Sequence, residues 1–496
     1  MELDAQEFTN GTTLDTDVCI VGAGPAGLVL AAELIGLRCD VILLESGAAR
    51  PEAAILGLND GDSVGDVYAG LGATRRRGIG GTSGAWNTTV ARAPAAKFAP
   101  LDAVDFEERP DRPYGGWPFG LAELRGDYER AQRICALGPF SYDAASWSEG
   151  GRLPWPATGP NLVSRVYQLG SRDAFVAPLH AAIARAANVR LCVHATALAL
   201  HPDGSGRRIT SMSVGSPGGA PWTVRAKRVV LAAGAVENAR MLLLAGNDSS
   251  WLGRGFMEHP RDRSLALHPH TTTLLGRSSF YDLRRAADGS WVTGRLALDS
   301  AALASGDVLN ASATLFPRLR QGARRLRAAL PEIVAQWLPN ESHGWSRRRS
   351  TLRACDGFTL LLNLEQTPHP ENRVTLSQRR DALGVPLPCL NWRWRDDDQR
   401  RLERLRAIVA TELETIGTIT VDGKARPDPN AHHHSGTTRM HDNPTHGVTD
   451  RNGRVHTMEN LYVAGASLFP TAGFANPVLT IVALALRLAR HLADAS

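Results

Sequence analysis

The chain predicts an α/β fold, α+β overall, with a Rossmann-like domain and a second, discontinuous domain built on an antiparallel sheet. Three observations predict it. Val18–Glu45 reads VCIVGAGPAGLVLAAELIGLRCDVILLE, an apolar strand, a glycine turn, a small-residue helix and a second strand ending in an acid. Residues 261–430 change texture to apolar–polar alternation, the period of strands with one wet face. The last 66 residues then return to a buried strand, Asn460–Ala464, followed by a helix over Val478–Leu492. The division that follows places 14–98, 161–260 and 431–496 in the first domain, and 99–160 and 261–430 in the second.

Each part of the first unit has a physical job. Gly22 permits a tight turn, Gly24 lets backbone approach a pyrophosphate, and Gly27 allows helix and strand to pack closely. Pro25 and Ala26 open a helix whose free N–H groups and positive dipole end face the phosphates. Glu45, about twenty residues on, accepts bonds from ribose hydroxyls and repels a 2′-phosphate. The unit therefore binds a dinucleotide, with FAD and NAD both open at this point. Residues 1–13 are polar and read as a loose arm, and Gly47–Thr74 holds no clear element. Gly78–Asn87 (GIGGTSGAWN) is too glycine-dense for regular structure and suits backbone passing close to a flat ligand.

Helical spacing marks Leu121–Leu137 and Ala174–Ala187, with strands at Val189–Val193 and Thr196–Leu200. Lys227–Ala235 is a second apolar strand running into a glycine turn at Ala233-Gly234, followed by helical Val236–Ala245. Within the second domain Val292–Leu298, Asn310–Leu315, Phe358–Leu364, Arg373–Ser377 and Leu390–Trp394 read as strands. Arg318–Leu330 is a basic helical stretch before a Trp- and Arg-rich loop, and Asp396–Ile416 is an amphipathic helix with an acidic start. Asn476-Pro477 fits the cap and first turn of the final helix.

The 496 residues, 43% hydrophobic and 21% charged, are those of a soluble enzyme of two or three domains. A net charge of +5 on so long a chain gives no reason to expect a nucleic-acid partner. Arg75-Arg76-Arg77 and Arg347-Arg348-Arg349 read as solvated faces. Six scattered cysteines suit a reduced interior. With no signal-like start and no stretch of membrane-spanning length, the expectation is a cytoplasmic protein without membrane insertion.

Two polar spots flank the final strand and helix: His432–Thr438 (HHHSGTT) and Gly473–Pro477 (GFANP). Together with Gly22–Gly27 and Glu45, Gly80–Asn87, Ala232–Ala245, Glu365–Leu376 (EQTPHPENRVTL) and Leu461–Thr480 (LYVAGASLFPTAGFANPVLT), they make the chain resemble the glucose–methanol–choline oxidoreductases. The resemblance runs nearly end to end and is greatest to a bacterial branch that includes pyranose 2-oxidase-like and other sugar-oxidising enzymes. It implies FAD held by Gly22, Gly24, Pro25, Ala26, Gly27, Glu45, Gly80, Gly81, Thr82, Ala85, Trp86, Asn87, Ala233, Gly234, Gly465, Ala466 and Pro477. It also implies a His-x-x-Gly-Thr catalytic histidine, which selects His433, and a partner at Asn476. Pyranose 2-oxidases of this pattern tether flavin through a histidine where this chain has Ala85, so the FAD is expected to be non-covalent.

The expected reaction is oxidation of an alcohol on a sugar, glycoside or aminoglycoside-like polyol. His433, with a pKa near neutrality, takes the hydroxyl proton while hydride leaves for flavin N5. Oxygen, a quinone or a redox protein would then receive the electrons. Gln366 and Asn87 are the candidate substrate contacts, although Gln366 and Glu365 could equally close a strand. His259 reads as a structural histidine. No metal is expected, because on extended chain His432 and His434 point away from His433. Rival readings are an NAD-linked dehydrogenase, a lyase of the same fold, and a non-catalytic flavin scaffold.

Overall fold

The computed structural model describes residues 1–109, 114–156, 159–330, 344–347, 349–422 and 426–494. Two large sheets face each other across a cavity. The first is eight-stranded and parallel at its centre. Thr13–Val21 pairs with Val41–Leu44 on one side and Trp222–Leu231 on the other, and Leu461–Val463 adds to the far edge of Trp222–Leu231. The four-residue run Val41–Leu44 is wholly buried, as a central parallel strand covered on both faces requires. Glu2–Asp4 closes one edge beside Val189–Val193, and the terminal amino group donates to the Val189 carbonyl at 2.8 Å. The start of the expected loose arm, residues 1–13, is therefore an edge strand followed by a short helical turn at Ala5–Glu7.

Helix Pro25–Glu33 packs on the last helix, Val478–Asp494, which in turn packs on Leu121–Ile134. This apolar sandwich joins the two ends of the chain. Tyr128 and Thr480 hydroxyls share a 2.8 Å bond inside it. Gly27 is required here: a Cβ would sit 1.8 Å from the Gly22 carbonyl oxygen.

The second sheet is nine-stranded and antiparallel, in the order Gly417–Val421, Arg261–Pro269, Cys355–Leu364, Ala311–Leu319, Trp291–Leu298, Leu162–Ser171, Ala93–Phe98, Thr88–Val90, with Arg284–Arg285 at the side. Thus 88–98 and 162–171, assigned to the first domain from sequence, supply strands to the roof. The expected wet face is also absent from its middle strands. Thr293, Arg295, Ser312 and Thr314 are buried, because the polar side of the alternation is turned inward. Gly47–Thr74, read as featureless, contains two short helices (Ala53–Gly57, Leu71–Thr74) and the strand Asp62–Gly65, which joins Pro386–Trp392 and Arg373–Arg380 in a small third sheet. The Trp- and Arg-rich loop after Leu330 lies largely outside the described residues. Among the described residues no helix is long and apolar enough to cross a membrane.

Candidate active site

A cavity of about 670 Å³ separates the sheets. Of the expected cofactor contacts, Gly22, Gly24, Pro25, Ala26, Glu45, Gly81, Thr82, Ala85, Trp86, Asn87, Ala233, Gly234, Gly465, Ala466 and Pro477 line it, and so do His433 and Asn476. Gly27 and Gly80 stand behind the lining, where Gly80 donates its N–H to the Ala23 carbonyl at 2.8 Å. Gly24, the last residue before helix Pro25–Glu33, has open space where its Cβ would be. Glu45 is buried and accepts N–H bonds from Ala23 (2.8 Å), Gly47 (3.1 Å) and Gly78 (2.8 Å). Burial raises its pKa, and those three donors offset only part of that rise.

Arg75 corrects another expectation. It is 8% exposed and pairs with Glu237, which Arg77 and Arg240 also hold at 3.2 Å. Despite its burial, Glu237 is held far below the usual carboxylate range by these three guanidiniums. A run of arginines reads as surface only while its partner, some 160 residues away in sequence, is unseen. Arg348 of the other run lies outside the described residues.

Gln366 is likewise corrected. It is fully buried behind the cavity, where its oxygen accepts from the Glu258 N–H and the Trp392 indole, each at 3.0 Å, and its amide donates to the Arg393 carbonyl. It braces backbone and does not meet the cavity. Glu365 is buried too, bonded to the Asn310 N–H at 2.9 Å and paired with Arg109 at 3.2 Å.

The end that holds His433 and Asn476 is built from three segments. Gly436 (φ +87°) turns the chain after His433, and a Cβ there would meet the Gly255 carbonyl oxygen at 2.2 Å. Thr437 anchors that turn through its hydroxyl to the Ala235 carbonyl at 2.6 Å. Buried Glu258 then staples two segments together, accepting the His433 N–H at 2.9 Å and the His259 N–H at 3.2 Å on one oxygen. Its other oxygen accepts the Tyr68 hydroxyl at 2.6 Å, and Tyr68 also meets His434 Nε2 at 2.8 Å. Burial lifts Glu258 to about 7.

The rings follow from that staple. His259 Nε2 lies 3.1 Å from the Ala472 carbonyl, which can only accept, so Nε2 carries the proton. Its Nδ1 must then accept, and its partner at 3.0 Å is His433 Nδ1. The network therefore assigns His433 the Nδ1–H tautomer, leaving its Nε2 an unprotonated acceptor. The Asn476 amide donates to that Nε2 at 3.2 Å, while Asn476 Oδ1 is buried with no partner. Asn476 thus faces His433 and does not cap the helix, whose first bond runs from the Ile481 N–H to the Pro477 carbonyl. The expectation of a neutral-range His433 also changes. Burial first, then His259, Arg261 and the flanking histidines, lower it well below 6.5. His259 is lowered to about 4 by burial, so it stays an acceptor.

Sequence reasoning left Glu258 unassigned and His259 merely structural. The segment GFMEHP carries both, but nothing in its composition shows that it lies beside residue 433. Asn238 was also missed. Its side chain accepts the Ala233 N–H at 2.9 Å and donates to the Ala464 carbonyl and Ser467 hydroxyl at 3.2 and 2.9 Å, joining two cavity-lining turns. His432, at φ +62°, breaks the extended run assumed from sequence. It comes together with His434 and Glu258, their ligand-type atoms within 4.8 Å of one another, where hydrogen bonds occupy His434 and Glu258.

Residues 368–485 match the family model described as GMC oxidoreductase. That segment is similar to the C-terminal domain of the GMC oxidoreductases. The match spans the His433 and Asn476 segments. Among curated proteins the chain is 26% identical to the 6'''-hydroxyparomomycin C oxidase of Streptomyces lividus, over 96% of this chain and 91% of that protein. It is 25% identical to the fructose dehydrogenase large subunit of Gluconobacter japonicus, over 96% and 97%. Among solved structures, pyridoxine 4-oxidase from Mesorbium loti is similar in fold at TM-score 0.58, with 18% identity over 96% of this chain and 98% of that one.

Proposed function

We propose that this chain is an FAD-dependent oxidoreductase that converts CH–OH to C=O on a sugar, glycoside or related polyol. One observation carries the reading: His433 Nε2 faces the Asn476 amide at 3.2 Å on the wall of a cavity whose opposite layer is a dinucleotide-type strand–turn–helix unit. The residues present fit the cofactor. The open Cα face of Gly24 and the N-terminus of helix Pro25–Glu33 suit a pyrophosphate, and Glu45 suits ribose hydroxyls. Ala85 offers no side-chain nucleophile, which supports non-covalent attachment. When bound, FAD supplies the hydride acceptor.

The protein's own groups do the rest. His433 is unprotonated at neutral pH, so its Nε2 is ready to take the substrate hydroxyl proton. As the ring becomes cationic, its Nδ1–H keeps donating to His259, which the Ala472 carbonyl holds in the accepting tautomer. Asn476 orients the hydroxyl oxygen through its amide N–H. The N-terminus of helix Val478–Asp494, bordering the cavity at Pro477 and Val478, favours negative charge beside it. Asn87 lines the same space and is the remaining candidate substrate contact. Oxygen, a quinone or a redox protein then takes the electrons. Six free thiols, five of them buried, support a reducing cytoplasmic setting.

The test is to purify the protein and add sugars and glycosides without oxygen. A yellow protein that bleaches with one class of alcohol is the expected result. A colourless protein would support a nicotinamide-linked enzyme, and a yellow one that no alcohol bleaches would support a lyase or a scaffold.

A further inference from the structure

The roof of the cavity carries more positive charge than the site described above uses. Lys97, on Ala93–Phe98, and Arg261 and Arg263, on Arg261–Pro269, all line the cavity. Lys97 Nζ donates to the Thr314 hydroxyl at 3.2 Å and lies 5.4 Å from the centre of the Tyr167 ring. Among the described residues none of the three has a carboxylate within ion-pair distance. Arg263 reaches only the Phe316 ring, at 5.9 Å. Arg261 feels Glu258 and Asp428 through space without closing a pair with either.

The only carboxylates lining the cavity, among the described residues, are Glu45 and Glu237. Glu45 is used by three backbone N–H groups, and Glu237 by three arginines. The Lys97 ammonium is pushed down to about 8, by burial first and then by Arg261, Arg263 and Arg295. Arg261 also lowers His433, which puts its positive charge near that histidine. The dinucleotide phosphates have donors of their own, in the Gly22–Gly27 turn on the opposite layer.

Lys97 and Arg261 are partly buried and Arg263 is exposed at the rim. Partly buried cations without counterions are costly, and an anion placed among them relieves that cost. We propose that the alcohol oxidised here carries an anionic substituent, such as a uronate carboxylate or a sugar phosphate, seated by Lys97, Arg261 and Arg263. This rests on the functional reading above and narrows it. A polycationic aminoglycoside would meet like charge, and a neutral glycoside would leave the trio unpaired.

The test uses holoenzyme reduced anaerobically beforehand, so that binding is read without turnover. Calorimetric titration compares methyl glucuronide, glucose 6-phosphate, methyl glucoside and glucosamine. One or both anionic sugars should bind about 10- to 100-fold more tightly than the neutral one, the range a charge-assisted hydrogen bond supports. Glucosamine should bind most weakly. The carboxylate and phosphate arms distinguish the two anions. Added salt, Lys97→Met and Arg263→Gln should each shrink the gap. Equal or tighter binding of neutral or amino sugars would overturn the inference, as would discrimination unchanged in both variants. Bleaching of oxidised enzyme by neutral sugars without charge discrimination leaves oxidation standing and removes only the anion site. Charge-selective binding with no bleaching by any sugar does the reverse.

Discussion

The two ends of the cavity handle buried charge in opposite ways. At the cofactor end each carboxylate is satisfied from within: Glu45 by three backbone N–H groups, Glu237 by Arg75, Arg77 and Arg240. At the catalytic end burial holds the histidines neutral, while three roof cations stand without ion-pair partners. One end is complete before any substrate arrives. On the proposed reading the other is completed by a proton and a substrate. The contrast teaches that buried groups make a scaffold where partners are fixed and a reactive site where they are withheld.

The cofactor end breaks most severely. Gly27→Val places side-chain carbon against the Gly22 carbonyl and should abolish flavin retention, seen as loss of yellow colour on gel filtration. Glu237→Ala leaves three arginines around an empty position and should cost about 3–5 kcal/mol in urea unfolding. At the catalytic end His259→Phe should keep flavin but slow bleaching roughly 10- to 100-fold, the scale attached to losing a group that orients a histidine. His259→Asn, whose oxygen can accept from His433 Nδ1–H, should recover part of that loss, which a purely packing role would not predict. Asn476→Ala should slow turnover about tenfold while weakening flavin binding less. The opposite pattern would reduce Asn476 to a cofactor contact.

The smallest effect separates the two kinds of burial by pH. His259 and His434 titrate near 4 and 3 when folded and near 6.5 when unfolded, so the unfolded chain binds more protons below 6.5 and stability falls on acidification from there. Glu258, raised to about 7, and Asp105, also raised, act oppositely. The folded chain binds more protons than the unfolded one above the ordinary carboxylate range, so stability rises as pH falls toward 6.5. Below 6.5 the two pairs oppose each other, so denaturant midpoints should rise as pH falls to about 6.5 and then stop rising. A midpoint still rising between pH 6 and 4.5 would contradict the histidine assignments.

How much was legible follows the same divide. The unit from Val18 to Glu45 could be read because turn, helix and terminal acid are contiguous, and each constraint is local. His433 and Asn476 could be named through their motifs. Their dependence on Glu258 and His259 could not, because that depends on which loop folds beside which. Periodicity located the roof strands well but misassigned their polar face, since alternation marks two different environments and does not say that one is solvent. Arg75 and Gln366 were misread for a related reason: a charge or amide next to loop residues looks exposed until a distant partner buries it.

The most direct test of the account is anaerobic stopped-flow bleaching by the best alcohol, comparing His433→Ala with wild type at equal flavin content. The account predicts a fall of about 10²- to 10⁴-fold in the bleaching rate with flavin still bound. Bleaching at an unchanged rate would contradict it, and the base would have to be sought elsewhere in the cavity.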